Sequence, residues 1–387
     1  MQLLIYFLVL ALSLFGCSKK NNSQPPVTEK RVYYDWTTFS MGADLSYVNA
    51  VLDHGGVYKD SNSTRDPFLL FRYHGANTVR VRLWHDPQWE TGLNGGSIYS
   101  NLADVEKTIQ KAKAAGMAVN LDLHYSDTWA DPSKQETPAA WAGLPQAVLE
   151  DSVYQYTLDV LNQLQAKGLV PEMIQVGNET NGGMLFPTGK VENNDWSAFA
   201  ALLNSGIRAV RDFSKTSAVK PQIILHVAQL QNADWWANGV INLGGVSDFD
   251  ILGLSHYFIW STVSSMNEVS TIIRNLKTKY GKKVMIVETA YPWTSGNADS
   301  YNNIIPGTTG FGGYAVSPEG QFQYLKDLTQ QVIEGGGSGI MYWEPAWISS
   351  TLRDLWGTGS SWENNTFFDF QGNVLPGIDY MTYAYQF

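Results

Sequence analysis

The stretch MIQVGNETN at residues 173–181 decides the expected fold of this chain. Its first four residues are mostly apolar and indicate a buried strand, which Gly177 ends immediately before Asn178 and Glu179. A strand of a parallel sheet is covered on both faces, so an acidic residue at its C-terminal end is out of pattern. In β/α barrels, this end of the strands carries the chemistry. Glu179 is therefore the first candidate for a catalytic residue.

A second stretch, VMIVET at residues 284–289, repeats the arrangement and ends an apolar run on Glu288. Two carboxylates at the ends of two buried strands meet the requirement of a glycosidase, in which one is the acid and the other the nucleophile or base. Alternatively, each Glu caps the helix that follows it, because acidic groups favour helix N-termini. Two such residues, with polar clusters after the other strands, favour the catalytic interpretation.

The rest of the chain alternates short apolar runs with helical stretches. Eight strands are expected, at residues 39–43, 78–83, 117–123, 173–176, 223–227, 251–254, 284–287 and 339–343. This alternation predicts an α/β protein with a single (β/α)8 TIM barrel. An open, doubly wound sheet is the alternative, but the sequence has no G-x-G-x-x-G or P-loop turn. Long strand-to-helix loops at 86–101, 125–148, 181–194 and 291–318 are expected to form a substrate groove.

Polar and aromatic residues follow most of the expected strands. In chain order the candidates are Asp44, Arg80, Arg82, Trp84, His124, Tyr125, Asp127, His256, Tyr257, Trp343 and Trp347. Each one alone could be a hydrogen-bonded core residue. Because parallel strands of a barrel end at the same face, their convergence predicts one binding site.

Composition narrows the class of ligand. The net charge of −10 argues against nucleic acid, which is bound through basic patches. The 14 Trp and 20 Tyr residues suit a neutral ligand, because flat aromatic faces match the C–H faces of sugar rings.

The N-terminus predicts export. Residues 3–16 are apolar and uncharged, which is typical of a signal peptide spanning 1–16. The sequence LFGC ends on Cys17, which resembles a bacterial lipobox and predicts lipidation at the only cysteine of the chain. Residues 17–36 then form the lipidated N-terminus and a flexible tether, and 37–387 the catalytic domain. The expected location is the bacterial outer membrane at the cell surface, with no other membrane contact. An ordinary secretory signal with an incidental cysteine is the alternative.

Several segments together resemble a known family. They are GAD at 42–44, VRVRLW at 79–84, DLHYSDTWADP at 122–132, QVGNE at 175–179, SHY at 255–257 and MYWEPAW at 341–347. These look like the endo-β-1,4-galactanases of glycoside hydrolase family 53, over the chain from about residue 39 to its end. The Asn-Glu pair is shared by a wider clan of retaining barrels, whereas 122–132 and 343–347 are much more specific.

The resemblance implies hydrolysis of the β-1,4-galactan side chains of pectin with retention of anomeric configuration, by a monomer without a catalytic cofactor. Glu179 matches the acid/base, and Glu288 matches the nucleophile. Glu179 must be protonated, so its pKa should be raised, whereas Glu288 must be ionised beside an arginine and a hydroxyl of Tyr257. Asn178 is expected to hydrogen-bond the sugar 2-hydroxyl.

The remaining candidates have less specific roles. His124 and His256 are expected to hold hydroxyls or orient the carboxylates, and Asp44 and Asp127 to bind hydroxyls. Trp84 and Trp347 are expected to be stacking platforms. For Asp44, Asp127 and the two tryptophans, support of the residues around the site remains an equal alternative.

A structural calcium site is also expected. Asn297, Asp299, Tyr301 and Asn303 alternate along one loop, as oxygen ligands of calcium do. The resemblance adds Ser360 and Glu363 from a later segment. The low number of carboxylates leaves a weak or absent site as the alternative.

Two other functions remain open from the sequence. One is a retaining barrel that acts on another plant β-glycan, such as mannan or xylan. The other is a surface glycan-binding protein that has lost catalysis, although the presence of both Glu179 and Glu288 counts against it.

Overall fold

The computed structural model describes residues 31–387. The predicted signal peptide at 1–16 and the predicted lipidation site Cys17 lie outside the described residues. Eight parallel strands close into a barrel in which the first strand pairs with both the second and the last. They are β1 Ser40–Asp44, β2 Thr78–Leu83, β3 Ala118–Leu123, β4 Met173–Val176, β5 Gln222–Ala228, β6 Ile251–His256, β7 Lys283–Thr289 and β8 Gly339–Tyr342.

Helices surround the barrel. They are α1 Val48–Asp53, α2 Pro67–Tyr73, α3 Leu102–Ala114, α4 Gln146–Ala166, α5 Ser197–Thr216, α6 Ala233–Ala237, α7 Met266–Tyr280 and α8 Pro318–Glu334. A π-helical turn, Asn238–Leu243, continues α6, and a 3-10 helix, Pro376–Thr382, follows β8. None of the helices within residues 31–387 is long and apolar enough to cross a membrane.

The prediction of a (β/α)8 barrel is confirmed, and each expected strand overlaps an observed one. The open sheet is wrong, because the first strand is hydrogen-bonded to the last and leaves no edge. The helix α4 begins at Gln146, immediately after Pro145. Proline fixes φ and favours this position just before a helix.

The lower part of the barrel interior, near the N-terminal ends of the strands, is apolar. Six side chains form this lower layer: Met173, Ile224, Ile251, Met285, Val287 and Met341. Trp36 packs against it from below. Gly42 of β1 leaves room for Met341, since a Cβ at Gly42 would lie 2.3 Å from its Cγ.

Residues before the first strand belong to the folded unit. The amide of Val32 donates to the carbonyl of Thr382, and the hydroxyl of Tyr34 donates to the carbonyl of Tyr383 at 2.6 Å. These contacts therefore begin five residues before the domain boundary at 37 expected from the sequence.

The long loops follow the C-terminal ends of the strands, as expected. The loop after β4 contains a small hairpin, Gly183–Met184 with Gly189–Lys190, and the loop between α1 and α2 contains Lys59–Asp60 paired with Ser63–Thr64. Short 3-10 segments lie in several other loops: Gln88–Gly92, Ala139–Trp141, Leu230–Asn232, Phe258–Trp260 and Glu363–Asn365.

Candidate active site

The two predicted catalytic residues lie together at the C-terminal face of the barrel. Glu179 follows β4, and Glu288 is near the end of β7. One carboxylate oxygen of each lies within 4.8 Å of the other. Carboxyl groups of retaining glycosidases are about 5–5.5 Å apart, and those of inverting enzymes about 6.5–9.5 Å. The spacing therefore fits retention.

Local backbone features aim both carboxylates into the barrel mouth. Glu179 has φ of 46°, an uncommon value for a residue with a side chain, directly after the β4 strand and its Gly177. On β7, Ile286 pairs with Leu254 but Glu288 pairs with Ser255, so Val287 is an extra residue, as in a β-bulge. Bulges beside active sites redirect side chains, and here the bulge turns Glu288 inward.

Glu288 is held by two donors. Its Oε1 lies 2.8 Å from Nη2 of Arg80, and its Oε2 accepts a hydrogen bond of 2.8 Å from the hydroxyl of Tyr257. Burial raises the pKa of Glu288 to about 7, and Arg80 and Tyr257 oppose this rise because they stabilise the charged form. Between the two arginines considered from the sequence, Arg80 is the one that contacts the carboxylate.

Glu179 lacks a cationic partner among the described residues. Its Oε1 accepts a hydrogen bond of 2.5 Å from Ser255. Burial and the charge of Glu288 raise the pKa of Glu179 well above its usual value, and Ser255 and Arg80 lower it by less. Glu179 therefore retains its proton more strongly than Glu288, which is the order that an acid and a nucleophile require.

Arg80 on β2 also binds side chains of β1 and β3 and of Asn178, which follows β4. Nη1 lies 2.7 Å from Asp44, and Nη2 lies 2.7 Å from Asp122 and 2.8 Å from Oδ1 of Asn178. Asp44 is fully buried and also accepts a hydrogen bond from the hydroxyl of Ser46. Its role is therefore to hold Arg80 in place, and the prediction that it contacts substrate is wrong. Asn178 donates to the carbonyl of Ala130 with one amide hydrogen and has a second available.

The tryptophans around the site differ in how much of each side chain is exposed. Trp84 is fully buried and Trp347 exposes 3% of its surface, so their prediction as stacking platforms is wrong. Trp347 packs against Tyr47 with ring centroids 4.2 Å apart. Trp129 and Trp343 are half-buried, with centroids 5.9 Å apart, and present the accessible aromatic faces.

Arg82 packs beneath the ring of Trp129. Its guanidinium lies 4.2 Å from the ring centroid of Trp129 and 3.0 Å from Oε1 of Glu344. Since Arg82 is 1% exposed, its predicted role in substrate binding is also wrong.

Four further candidates serve the loops or the core. The hydroxyl of Tyr125 lies 2.8 Å from Thr157 of α4, away from the barrel mouth. His256 is buried on the face of β6 opposite Ser255, and burial lowers its pKa to about 4. The prediction that Tyr125 and His256 contact substrate is therefore wrong.

His124 is bonded to Asp122 at 3.0 Å. Asp127 accepts from the amides of Asp86 and Ala139 and so joins two loops.

Sequence reasoning overlooked three residues of the site: Gln175, His226 and Ser255. Gln175 donates to Asp122 at 2.7 Å, and Nε2 of His226 lies 2.9 Å from Oγ of Ser255. Gln175 and His226 interrupt otherwise apolar strands, which is the same signal that identified Glu179. Ser255 carried no such signal, because serine is common near strand ends.

Several of the predicted calcium ligands lie close together, between the loop after β7 and Glu363. Oε1 of Glu363 accepts from the amide of Ala298 at 3.0 Å and from Nδ2 of Asn303 at 3.3 Å. Nδ2 of Asn303 is also 3.1 Å from Oδ1 of Asn297. Oε2 of Glu363 and Oδ1 of Asn303 are buried without a hydrogen-bond partner in residues 31–387, and burial raises the pKa of Glu363 to about 7.

The other members of the predicted calcium set are engaged elsewhere. Oδ2 of Asp299 accepts from the amide of Ser360 at 2.9 Å and from the hydroxyl of Ser349. The hydroxyl of Ser360 donates to the carbonyl of Trp347. The roles of Asp299 and Ser360 as ligands stay predictions, and the carbonyl of Tyr301, 3.2 Å from Nδ2 of Asn297, lies beside the cluster.

Comparison with known proteins places these features in a family. Residues 40–381 match the model of glycosyl hydrolase family 53. The chain is 45% identical to an arabinogalactan endo-β-1,4-galactanase of Cellvibrio japonicus, over 91% of this chain and 93% of that protein. It is 33% identical to an endo-β-1,4-galactanase of Bacillus subtilis, over 89% and 86% of the two chains.

Solved structures agree. The family 53 catalytic domain of Ignisphaera aggregans superposes with a TM-score of 0.81 at 35% identity, covering 93% of this chain and all of that one. A fungal β-1,4-galactanase gives 0.73 at 30% identity, covering 88% and 98%. The match extends over nearly the whole barrel and includes the strands that carry Glu179 and Glu288, so this chain is a glycoside hydrolase and belongs to glycosyl hydrolase family 53.

Proposed function

We propose that the protein hydrolyses internal bonds of β-1,4-linked galactan, including the pectic side chains of type I arabinogalactan, with retention. The carboxylate pair carries the proposal, because Glu179 and Glu288 share one site but have opposite electrostatic surroundings. The galactanase names of the relatives support galactan as the substrate, ahead of mannan or xylan.

The reaction has two steps. In the first, Glu288 attacks the anomeric carbon while Glu179 gives its proton to the glycosidic oxygen, so that a covalent glycosyl-enzyme forms. In the second, Glu179 takes a proton from water, which attacks the same carbon and releases Glu288. Arg80 and Tyr257 keep Glu288 charged and aligned, and the free amide hydrogen of Asn178 is available to the sugar 2-hydroxyl.

Release of reducing ends from galactan, mannan and xylan, measured in parallel, tests the substrate. Galactan should be degraded to mixed oligosaccharides, and the other two polymers should react far more slowly. Faster release from mannan or xylan would contradict the proposal. Binding of galactan without turnover would instead support the binding-protein alternative.

We also propose that a calcium ion binds between the loop after β7 and Glu363, in a structural role. The partnerless buried oxygens of Glu363 and Asn303 support it, because a cation would satisfy both. The carboxylate of Glu363, the amide oxygens of Asn297 and Asn303 and the carbonyl of Tyr301 would hold the ion. With one carboxylate in the set, we expect modest affinity.

Thermal unfolding with calcium or with a chelator tests this site. Calcium should raise the melting temperature by a few degrees, since a ligand that binds only the native state stabilises it. Binding needs the charged form of Glu363, whose pKa is about 7, so the effect should be larger at pH 8 than at pH 5. In Glu363→Gln, the response should disappear. An equal response in that variant would place the calcium elsewhere.

For the N-terminus, we propose export and a lipid anchor on Cys17 at the outer surface of a bacterium. The LFGC sequence supports it. Metabolic labelling with a palmitate analogue in a bacterial host should mark the wild type and not Cys17→Ala. Labelling of neither, with the protein released to the medium, would favour an ordinary secretory signal.

A further inference from the structure

The first observation concerns the tautomer of His226, a fully buried residue of β5. The backbone amide of Glu179 lies 3.2 Å from Nδ1 of His226. Nε2 of Gln175, a second donor, lies 3.0 Å from Nδ1, and Oδ1 of Asn178, an acceptor, also lies 3.0 Å from it. Because a backbone N–H can only donate and the donors outnumber the acceptor, we assign Nδ1 as the acceptor and place the proton of the neutral ring on Nε2. Burial and the nearby Arg80 lower the pKa of His226 well below its usual value, which keeps the ring neutral.

The second observation concerns the hydroxyl of Ser255 on β6. Nε2 of His226 lies 2.9 Å from Oγ of Ser255, so His226 donates and Ser255 accepts. The hydroxyl hydrogen of Ser255 must then point elsewhere, and the partner at 2.5 Å is Oε1 of Glu179. With this tautomer, the hydrogen bonds run from His226 to Ser255 and from Ser255 to Glu179.

The third observation concerns the two oxygens of Glu179. Oε1 accepts the hydrogen bond from Ser255, whereas Oε2 has no hydrogen-bond partner among the residues that the structure describes. A protonated carboxyl carries its hydrogen on one oxygen only, and an oxygen that already accepts a short hydrogen bond is the poorer place for it. Oε2 is therefore the oxygen that bears the transferable proton.

We propose that Ser255, oriented by His226, is a positioning residue that assigns the catalytic proton to Oε2 of Glu179 and stabilises the carboxylate left after its transfer. This inference deepens the proposed function and rests on it. As the proton leaves Oε2 for the glycosidic oxygen, the C1–O bond breaks and a bond forms between C1 and Glu288. The hydrogen bond from Ser255 to Oε1 then becomes charge-assisted and stronger. The stabilisation is thus larger after proton transfer, which is the requirement for a contribution to rate.

Ser255→Ala tests the inference, with kcat/KM measured against pH. Loss of the donor should raise the pKa of Glu179, because the charged form loses its hydrogen bond. The alkaline limb of the profile should therefore move to higher pH by about one unit, and kcat/KM on galactan should fall about tenfold with KM little changed. Ser255→Thr, which keeps the hydroxyl, should retain the wild-type limb.

A leaving-group comparison separates this role from a structural defect. A dinitrophenyl glycoside of galactobiose releases its leaving group without protonation, so its kcat/KM should change less than about twofold in Ser255→Ala. The ratio of the two substrates is measured on one sample and does not depend on the amount of active enzyme. Ser40→Ala, a buried serine at the opposite end of the barrel, should leave both the ratio and the pH profile unchanged.

The outcomes are distinct. An equal loss on both substrates, or an alkaline limb that does not move in Ser255→Ala, would overturn the role of Ser255. A wild-type protein that cleaves the galactobioside but releases nothing from galactan would overturn the proposed polymer substrate and leave the Ser255 test valid.

Discussion

The barrel interior contains two layers that differ in chemistry. The lower layer is an apolar cluster of Met, Ile and Val side chains closed by Trp36. Above it, the upper layer contains Arg80 among the carboxylates of Asp44, Asp122 and Glu288. Both layers are buried, and β7 contributes side chains to both.

The difference shows how the fold separates stability from reactivity. Apolar side chains gain free energy from burial without needing partners. Buried charges lose their hydration, and each therefore requires a partner in a defined position. Strands anchored by the lower layer can hold an upper layer in which the pKa values of the carboxylates are shifted, as catalysis requires.

The largest effect is expected in the upper layer, for replacement of either catalytic residue. Glu288→Ala and Glu179→Ala should each lower kcat on galactan by about 10⁴-fold or more, because each removes a group that reacts directly. Binding of galacto-oligosaccharides should change little in Glu179→Ala.

Azide distinguishes the two roles. With an activated aryl galactobioside, Glu288→Ala should yield the α-glycosyl azide, since azide replaces the nucleophile. Glu179→Ala should yield the β-glycosyl azide, formed by attack on the covalent intermediate. The reverse assignment of products would exchange the two roles and contradict the comparison of their surroundings.

Arg80→Gln should cause the next largest effect, because it leaves three buried carboxylates without their cation. We expect a loss of about 3–5 kcal/mol in unfolding free energy. Without Arg80, the folded-state pKa of Glu288 rises further, and stability is lost as pH increases through it. Denaturant unfolding should therefore show a larger loss at pH 8 than at pH 5.

Arg211→Gln is the matched control. Arg211 pairs with Asp248 at 2.9 Å but is partly exposed, so its replacement should cost about 1 kcal/mol or less. Equal losses of unfolding free energy in the two variants would show that the buried carboxylates of the upper layer do not need their cation more than an exposed carboxylate does.

A cavity in the lower layer should affect stability alone. Ile251→Ala should lower the free energy of unfolding by about 2–4 kcal/mol, because it removes apolar contacts and leaves a void. The pH profile of kcat/KM should keep the wild-type shape. A displaced limb in Ile251→Ala would show that the two layers are coupled.

The smallest of these effects is expected for Tyr257→Phe. The lost hydroxyl stabilises the charged form of Glu288, so the pKa of Glu288 should rise further. The acid limb of kcat/KM should move to higher pH by about one unit, with little change in stability. An acid limb that does not move would exclude Glu288 as its origin.

The fold was largely predictable, because each buried strand is a short apolar run followed by turn residues and a helical stretch. The strand at 173–176 was predicted with the observed bounds. The C-terminal ends of β6 and β7, which extend beyond the predicted strands, were not, because polar residues there are satisfied by partners from distant parts of the chain. Ser255 of β6, bonded to His226 and Glu179, is an example.

The site was less predictable in detail. Residue type indicates that a side chain can bind sugar, but only packing decides whether it is accessible. Trp84 and Trp129 have the same chemistry and lie in adjacent loops, yet Trp84 is buried behind Trp129. Tyr125 and Tyr257 both follow strands, and their hydroxyls reach α4 and Glu288 respectively. Which of these side chains reaches the site depends on its neighbours in the folded protein, and the spacing of residues along the sequence does not reveal those neighbours.

The most direct test of the central claim is to trap the covalent intermediate. A 2-deoxy-2-fluoro galactobioside with a good leaving group should inactivate the enzyme, and peptide mass spectrometry should locate one glycosyl group on Glu288. That result would establish that Glu288 is the nucleophile of a retaining pair with Glu179. A label on another residue, or turnover in which the first product released is the α-anomer, would contradict the account.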